Sequence, residues 1–381
     1  MNKLKKSVAV ALGAVMLGST LGGCTQATLF GSYPQDLSWS YKDDTSTMAI
    51  GEYIYYNYNA FYGASEMVEN GTGDFLGKTL KTDDGKEMTA REYIEKEVDK
   101  SCKNYLYVNK TFKDMGLSLT PEEISSYKSN ADMYWSYMGA GMEAYGVSKD
   151  SFVDAGYENA AKLEAIFKKL YQEGGEKEVK LDELKKYYEE KYVNYSYLSA
   201  PLYTSKTDEN QKTTNTKMTA DEIASYKKNF DKYVKAINAG TAYADEVKVY
   251  MEDYKVESDP TITATNILEN AGLGEEIQKA LEELKDGQCK YIVVGEDGDT
   301  PTIYLVYRGD IKEASANLDK DPSTQYSVLV NLKSEEFRTD VEKAASEYKC
   351  EINTAAIEKY PCDMFITEPA TQAATAAPTA E

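Results

Sequence analysis

The side chains that most often carry acid–base chemistry or bind metals are missing or badly placed. The 381 residues include no His, which excludes Ser-His-Asp and Cys-His catalysis and zinc sites that need imidazole. Two acidic turns, Asp83–Gly85 and Glu296–Asp299, lack the ligand spacing of an EF-hand, and Asp and Gly are common in ordinary turns. We therefore predict no metal site.

Two further patterns approach catalytic or nucleotide-binding motifs without completing them. Residues Gly71–Thr79 have the composition of a phosphate loop, but Thr72 stands where that loop requires its first Gly. The Ser-x-x-Lys pattern of penicillin-recognising enzymes begins at Ser125, Ser225 and Ser346, and its companion Lys-Thr-Gly is absent. We predict no catalytic residue, no cofactor and no nucleotide partner.

The N-terminus has the organisation of a bacterial export signal. A basic start at Lys3–Lys6 precedes the short apolar stretch Val8–Leu17. Leu21–Cys24 is similar to a lipobox, in which the Cys is lipidated and becomes the first residue of the mature chain. This predicts a signal peptide over 1–23, lipidation of Cys24 and an extracytoplasmic protein anchored to the cell membrane; the alternative is an ordinary signal peptide with an incidental Cys.

Four more cysteines follow: Cys102, Cys289, Cys350 and Cys362. An extracytoplasmic location permits disulfides. Cys350 and Cys362 are the closest of the four in sequence and are the preferred pair if a disulfide forms. The alternative is that all four are small buried hydrophobic residues.

Charge and aromatic composition narrow the possible partners. Lys and Arg number 43 against 64 Asp and Glu, a formal net charge of −21, so we predict no nucleic-acid partner. The aromatic residues are 33 Tyr, 9 Phe and 2 Trp. Tyr combines an apolar ring with a hydrogen-bonding tip, which suits half-buried and adaptable surfaces.

The sequence pattern is nearly all helical over 45–190, after a tether predicted at 24–44. Apolar residues at helical spacing begin at Ile50, and capping boxes at Thr89 and Thr120 start two more helices, to about Met115 and over 121–140. A helix from Ser148 to Gly174 and another over 181–191 complete the region.

Residues 191–312 have a mixed pattern. We predict a strand at Tyr195–Ala200, a surface loop at 204–217, helices over 219–240 and 274–285, and a hairpin of Tyr291–Val294 with Thr302–Tyr307. A helix over 323–349 and a strand near Cys350 follow in 313–364. Residues 365–381 contain no core-forming run and are predicted to be disordered.

Five segments carry a further pattern: Gly116–Glu123, Tyr145–Phe152, Leu181–Glu190, Leu281–Gln288 and Phe337–Ile352. In this order they resemble segments of the extracytoplasmic foldases of the PrsA and SurA type. The resemblance implies an α+β fold in which a mostly helical SurA-N-like chaperone domain at 45–190 is followed by an inserted parvulin-like α+β domain at 191–312. A helix and strand at 313–364 would return to the chaperone domain.

The chain departs from these foldases at the residues expected in the prolyl isomerase site. Parvulin-like prolyl isomerase sites place a His on the first strand and another on the last, and the corresponding stretches here are about Leu198–Tyr203 and Thr302–Val306. Neither contains His. We therefore expect a degenerate isomerase domain with weak or absent peptidyl-prolyl cis-trans isomerase activity.

The Tyr-rich helix over 50–68 provides the candidate binding residues, Tyr53, Tyr56 and Phe61. Their alternative role is core packing, the usual fate of aromatic residues at helical spacing. The function predicted is a membrane-anchored chaperone that binds unfolded secreted polypeptides. The alternatives are a lipoprotein that binds a dedicated cell-envelope partner or solute without folding activity, and an unrelated hydrolytic lipoprotein.

Overall fold

The computed structural model describes residues 36–68, 74–82 and 85–366. The predicted signal peptide, Cys24, most of the predicted tether, the Gly-rich segment 71–73, Asp83 and Asp84, and the tail from residue 367 lie outside the described residues. No described helix has both the length and the apolar character needed to cross a membrane.

The chain has a mixed α+β fold that divides into two compact units. Residues 179–332 form one, the sheet unit, and the described parts of 10–178 and 333–381 form the other, the helical unit. The helical unit is thus made of two chain segments. The sheet unit includes residues 181–190 and 313–332, which the sequence interpretation assigned to the neighbouring regions.

The helical unit begins with short strands and continues with long helices. Its elements before residue 179 are β1 (Trp39–Lys42), β2 (Thr47–Ala49), α1 (Ile50–Met67), β3 (Thr79–Lys81), β4 (Glu87–Thr89), α2 (Ala90–Asp114), α3 (Pro121–Ala144), α4 (Lys149–Val153), a π-helical segment (Asp154–Glu158) and α5 (Asn159–Tyr171). The predicted capping boxes are confirmed: Thr89 and Thr120 each accept a hydrogen bond from the backbone N–H three residues on.

The sheet unit contains α6 (Leu181–Lys191), β5 (Val193–Pro201), β6 (Tyr203–Thr207), β7 (Thr213–Lys217), α7 (Ala220–Asn238), α8 (Tyr243–Tyr254), β8 (Ile262–Asn266), α9 (Glu275–Glu283), β9 (Cys289–Val294), β10 (Thr302–Arg308) and α10 (Ile311–Ser315). Helix α11 (Pro322–Ser346) belongs to it up to residue 332. The helical unit ends with β11 (Glu351–Ile352), α12 (Thr354–Ile357) and a 3₁₀ turn at Cys362–Phe365.

The sheet unit is built on a four-stranded antiparallel sheet of order β8-β5-β10-β9. One face packs against α7 and α8 through Leu198, Phe230 and Tyr250. The other face packs against α9 through Leu281 and Val306. Because both faces have apolar partners, alternate residues of the same strand enter different cores.

Two segments predicted to be irregular are ordered strands. The tether prediction is wrong for Trp39–Lys42, which pairs with both β2 and β11, because Tyr41 is buried and its hydroxyl donates to Asp99. The loop prediction at 204–217 is also wrong, because β6 and β7 form a hairpin of exposed, Thr-rich strands. The polar residues of this segment are common in turns, and they obscured the β-branched Thr residues that favour strands.

Three smaller differences concern the end of the chain, two elements of the sheet unit and the cysteines. The disorder prediction from 365 is wrong for Phe365, which is buried in the core of the helical unit. Helix α8 and strand β8 have no counterpart in the sequence interpretation. Cys102, Cys289 and Cys362 are buried free thiols, and Cys350 is a half-buried free thiol. The structure therefore agrees with the alternative, in which the cysteines are small apolar residues, and not with a Cys350–Cys362 disulfide.

Candidate functional site

The three residues proposed from α1 do not form one exposed surface. Phe61 is 5% exposed, and its ring centroid lies 4.9 Å from that of Phe75 and 5.5 Å from that of Phe365. Tyr56 is half-buried and its hydroxyl donates to the carbonyl of Ala155 at 3.0 Å. Tyr53 is half-buried against the same core. In this conformation Phe61 is a core residue with almost no surface to offer a ligand.

Helix α1 also buries a carboxylate. Glu52 is 5% exposed, and its side chain accepts a hydrogen bond from the backbone N–H of Ala49. Removal from water raises its pKa to about 8, and the nearby negative charge of Asp154 acts in the same direction. Glu52 is a buried, protonatable group that closes the start of α1, rather than a base facing a pocket.

Helix α3 carries the exposed apolar surface that the sequence interpretation assigned to α1. Tyr137 is 82% exposed and Met133, one turn away, is 50% exposed. On another side of the helix, Trp135 packs on Phe152 with ring centroids 5.2 Å apart. The signal was present in the sequence, because residues 133–142 contain no charge and three Met. Exposed Met and Tyr side chains are typical of surfaces that accept varied apolar partners.

A second apolar surface crosses the four-stranded sheet. Tyr197 on β5 is directly opposite Ile262 on β8, and Tyr304 on β10 is directly opposite Ile292 on β9. Tyr304 also pairs with Ser199, so all these side chains share one face of the sheet. The Tyr197 and Tyr304 rings lie 6.2 Å apart. We call Tyr197, Ile262, Ile292 and Tyr304 the tyrosine platform.

The tyrosine platform is accessible, although two of its neighbours on the same face are buried. Ile262 is 51% exposed, and the other three platform residues are half-buried. By contrast, Tyr195 and Val306 on that face are buried in the core beneath α9. The platform therefore offers apolar and aromatic atoms to a ligand without any rearrangement of the sheet.

The platform occupies the strands on which the foldase resemblance expects two His. Tyr304 lies within the expected stretch Thr302–Val306, and Tyr197 immediately precedes the stretch Leu198–Tyr203. The two strands are paired neighbours, with Leu198 opposite Leu305. Burial raises the pKa of Tyr197, so its phenol stays protonated near neutral pH and serves as a hydrogen-bond donor rather than a base. Nowhere in the described ranges do three or more potential metal ligands cluster.

Comparison with known proteins gives one structural likeness. No family model matches the chain, and no curated protein matches it. Among solved structures, the chain is similar to the crystal structure of foldase protein PrsA from Streptococcus pneumoniae str. Canada MDR_19A. The sequence identity is 15%, 74% of this chain and 97% of that chain are covered, and the TM-score is 0.36. Likeness at this level assigns neither a family nor a site residue to this chain.

Proposed function

We propose that this chain is a lipid-anchored extracytoplasmic folding factor that binds apolar segments of unfolded secreted polypeptides at the tyrosine platform. The observation that carries the proposal is the exposure of Ile262 beside the half-buried Tyr197–Tyr304 pair on one face of the sheet. Apolar side chains grouped on an accessible surface mark sites of interaction. The export signal and the similarity of Cys24 to a lipidation site support the location.

The chemistry of the platform favours transient and sequence-tolerant binding. Tyr rings contribute apolar area with few rotatable bonds, and their hydroxyls accept or donate hydrogen bonds to any peptide backbone. Chains that bind this way are released again because no single contact is strong. Repeated capture would keep apolar segments from associating with one another, without a cofactor.

Isomerase activity is proposed to be weak or absent. Rotation about a prolyl bond requires a site that favours the twisted amide over the planar one, against a barrier of about 20 kcal/mol. The resemblance would place two imidazoles near that amide, and this chain has no His. Two phenols, those of Tyr197 and Tyr304, lie beside or within the corresponding strand stretches. Protonated phenols can donate hydrogen bonds to a carbonyl, but they do not provide the same polar network.

The test uses the chain from residue 25 onward and two assays on one preparation. Suppression of aggregation of a denatured client and acceleration of a proline-limited refolding reaction are measured for the wild type and for Tyr197→Ala/Tyr304→Ala. We expect the double variant to lose most of the suppression and the wild type to show little acceleration. Tyr203→Ala, on the exposed hairpin of the same unit, is the matched control and should retain suppression.

Three results would change the proposal. Acceleration at substoichiometric protein would make the chain a prolyl isomerase that works without His. Equal suppression by wild type and double variant would remove the platform from the mechanism. Absence of suppression even at excess protein would favour the alternative of a lipoprotein that binds a dedicated envelope partner or a solute.

A further inference from the structure

The helical unit contains an apolar cavity of about 210 Å³ between three of its helices. Its walls come from α2, α5 and the part of α11 that belongs to this unit. The apolar side chains that form them include Tyr107, Leu163, Ile166, Leu170, Phe337 and Val341. Ile166, Phe337 and Val341 are buried, whereas Tyr107, Leu163 and Leu170 are half-buried and lie toward solvent.

The volume of the cavity limits what it can hold. The space is open toward solvent on the side of Tyr107, Leu163 and Leu170, so its volume is that of a surface pocket and not of a sealed void in the core. It is smaller than the roughly 300–1,000 Å³ of pockets that take drug-sized ligands. It is somewhat larger than the cavity of about 150 Å³ that accommodates benzene in an apolar interior. One aromatic ring or one branched aliphatic side chain fits these limits.

The rim of the cavity is polar and carries both signs of charge. The Lys177 ammonium lies 2.6 Å from Asp340 and 3.6 Å from Glu336. Lys177 and Asp340 are both lining residues, and their side chains are 40% and 55% exposed. An ammonium can donate to peptide carbonyls and a carboxylate can accept from peptide N–H groups. The rim can therefore satisfy the main chain on either side of an inserted side chain.

We propose that this cavity binds one aromatic or branched aliphatic side chain of an extended polypeptide, with the Lys177–Asp340 pair holding the adjacent backbone. The site is separate in residues from the tyrosine platform, and its assignment to a polypeptide rests on the proposed function. Such a site would restrict the clients to polypeptide segments with one large apolar residue. The residues on either side of it would have to be small, so that the main chain can reach the Lys177–Asp340 pair.

The experiment titrates the chain from residue 25 onward with two peptides. Both have ten residues of Gly and Ser, and one carries a single Phe at its centre in place of Ser. Binding is followed by the ¹³C methyl resonance of Met115, another lining residue, assigned with Met115→Leu. We expect the Phe peptide to shift this resonance saturably, and the Ser peptide to bind about tenfold or more weakly because it cannot fill the apolar space.

Two matched Thr→Phe substitutions test whether the cavity itself is responsible. Thr111→Phe places a ring at a lining position and should abolish the effect of the Phe peptide. Thr339→Phe makes the same exchange at an exposed position of α11 and should leave binding unchanged. If Thr111→Phe does not fold, the comparison of the two peptides on the wild-type chain still decides the outcome.

The proposal is overturned if the two peptides act equally, if neither shifts Met115, or if Thr111→Phe folds and binds normally. Binding of free phenylalanine but not of the Phe peptide also overturns it, since the site would then take a small solute. If the peptides do not bind but the chain still suppresses aggregation, the cavity proposal is wrong and the proposed function stands. If the Phe peptide binds but the chain does not suppress aggregation, the proposed function is wrong and the cavity is a peptide-binding site.

Discussion

Helices α1 and α3 are both rich in aromatic residues, but only α3 carries one that is almost fully exposed, Tyr137. Helix α1 contacts α2, α4, the π-helical segment and the 3₁₀ turn at Cys362–Phe365, so Ile54 and Phe61 are enclosed. The fully buried residues of α3 are mostly small, while Met133 and Tyr137 project into solvent. The accessible surface of a helix is set by the number of its neighbours and not by its aromatic content.

The largest expected effect is the loss of stability when a ring is removed from the enclosed helix. Phe61→Ala leaves a cavity next to Phe75 and Phe365 and should cost about 3–5 kcal/mol. Tyr137→Ala removes an exposed ring and should change stability by no more than about 0.5 kcal/mol. Urea unfolding followed by Trp fluorescence reports on this unit, because Trp39 and Trp135 both lie within it. Similar losses in the free energy of unfolding for the two variants would contradict the contrast drawn between α1 and α3.

A smaller effect is expected from the buried carboxylate of α1. The pKa of Glu52 is raised from its ordinary value of 4.5 to about 8 in the fold, so the folded chain keeps a proton that the unfolded chain releases. Its contribution to stability is therefore present at low pH and is lost as pH rises through this window. Glu52→Gln should gain stability relative to the wild type between pH 5 and pH 9, by at most about 4 kcal/mol.

The measurement is the difference in urea midpoint between Glu52→Gln and wild type at the two pH values. Glu95→Gln, an exposed acid on α2, is the control and should show the same difference at both. Gln keeps an oxygen that can accept from the Ala49 N–H, so the end of α1 stays closed. A difference for Glu52→Gln that does not grow with pH would show that the carboxylate is hydrated or paired.

The smallest effect concerns client binding by the exposed helix. Met133→Gln/Tyr137→Gln replaces the apolar face of α3 with good helix formers. We expect aggregation suppression to fall about two- to threefold while stability changes by less than about 0.5 kcal/mol. Ser126→Ala, an exposed change on the same helix, should leave suppression unaltered. Full suppression by the double variant would mean that exposure on α3 has no part in binding.

Features determined by neighbouring residues could be predicted well. The capping boxes at Thr89 and Thr120 are present as expected, and the hairpin of β9 and β10 lies within two residues of its predicted bounds. Strand β8 was missed because its partner, β5, lies more than sixty residues away in sequence. Strand β1 has one partner close in sequence, β2, but its other partner, β11, lies near the opposite end of the chain and could not be anticipated from local pattern.

The candidate site could likewise be predicted only as far as neighbouring residues determine it. The sequence identified the first and last strands of the sheet unit and the absence of His from both, but it did not show that Tyr197 and Tyr304 would share one face. The uncharged run 133–142 was visible, yet its exposure depends on the tertiary structure, in which no described segment covers Tyr137. Phe61 was chosen for its spacing on a helix, and that spacing fits a core position equally well.

The sequence by itself determined the helix starts, the mixed α+β character, the lack of imidazole chemistry and the strong acidity. These follow from residue types and from hydrogen bonds that span three or four positions. Only the tertiary structure decided which aromatic side chains are accessible, that Glu52 is buried, and that α2, α5 and α11 leave a cavity between them. Burial is a property of segments brought together from distant parts of the chain, and no local pattern specifies it.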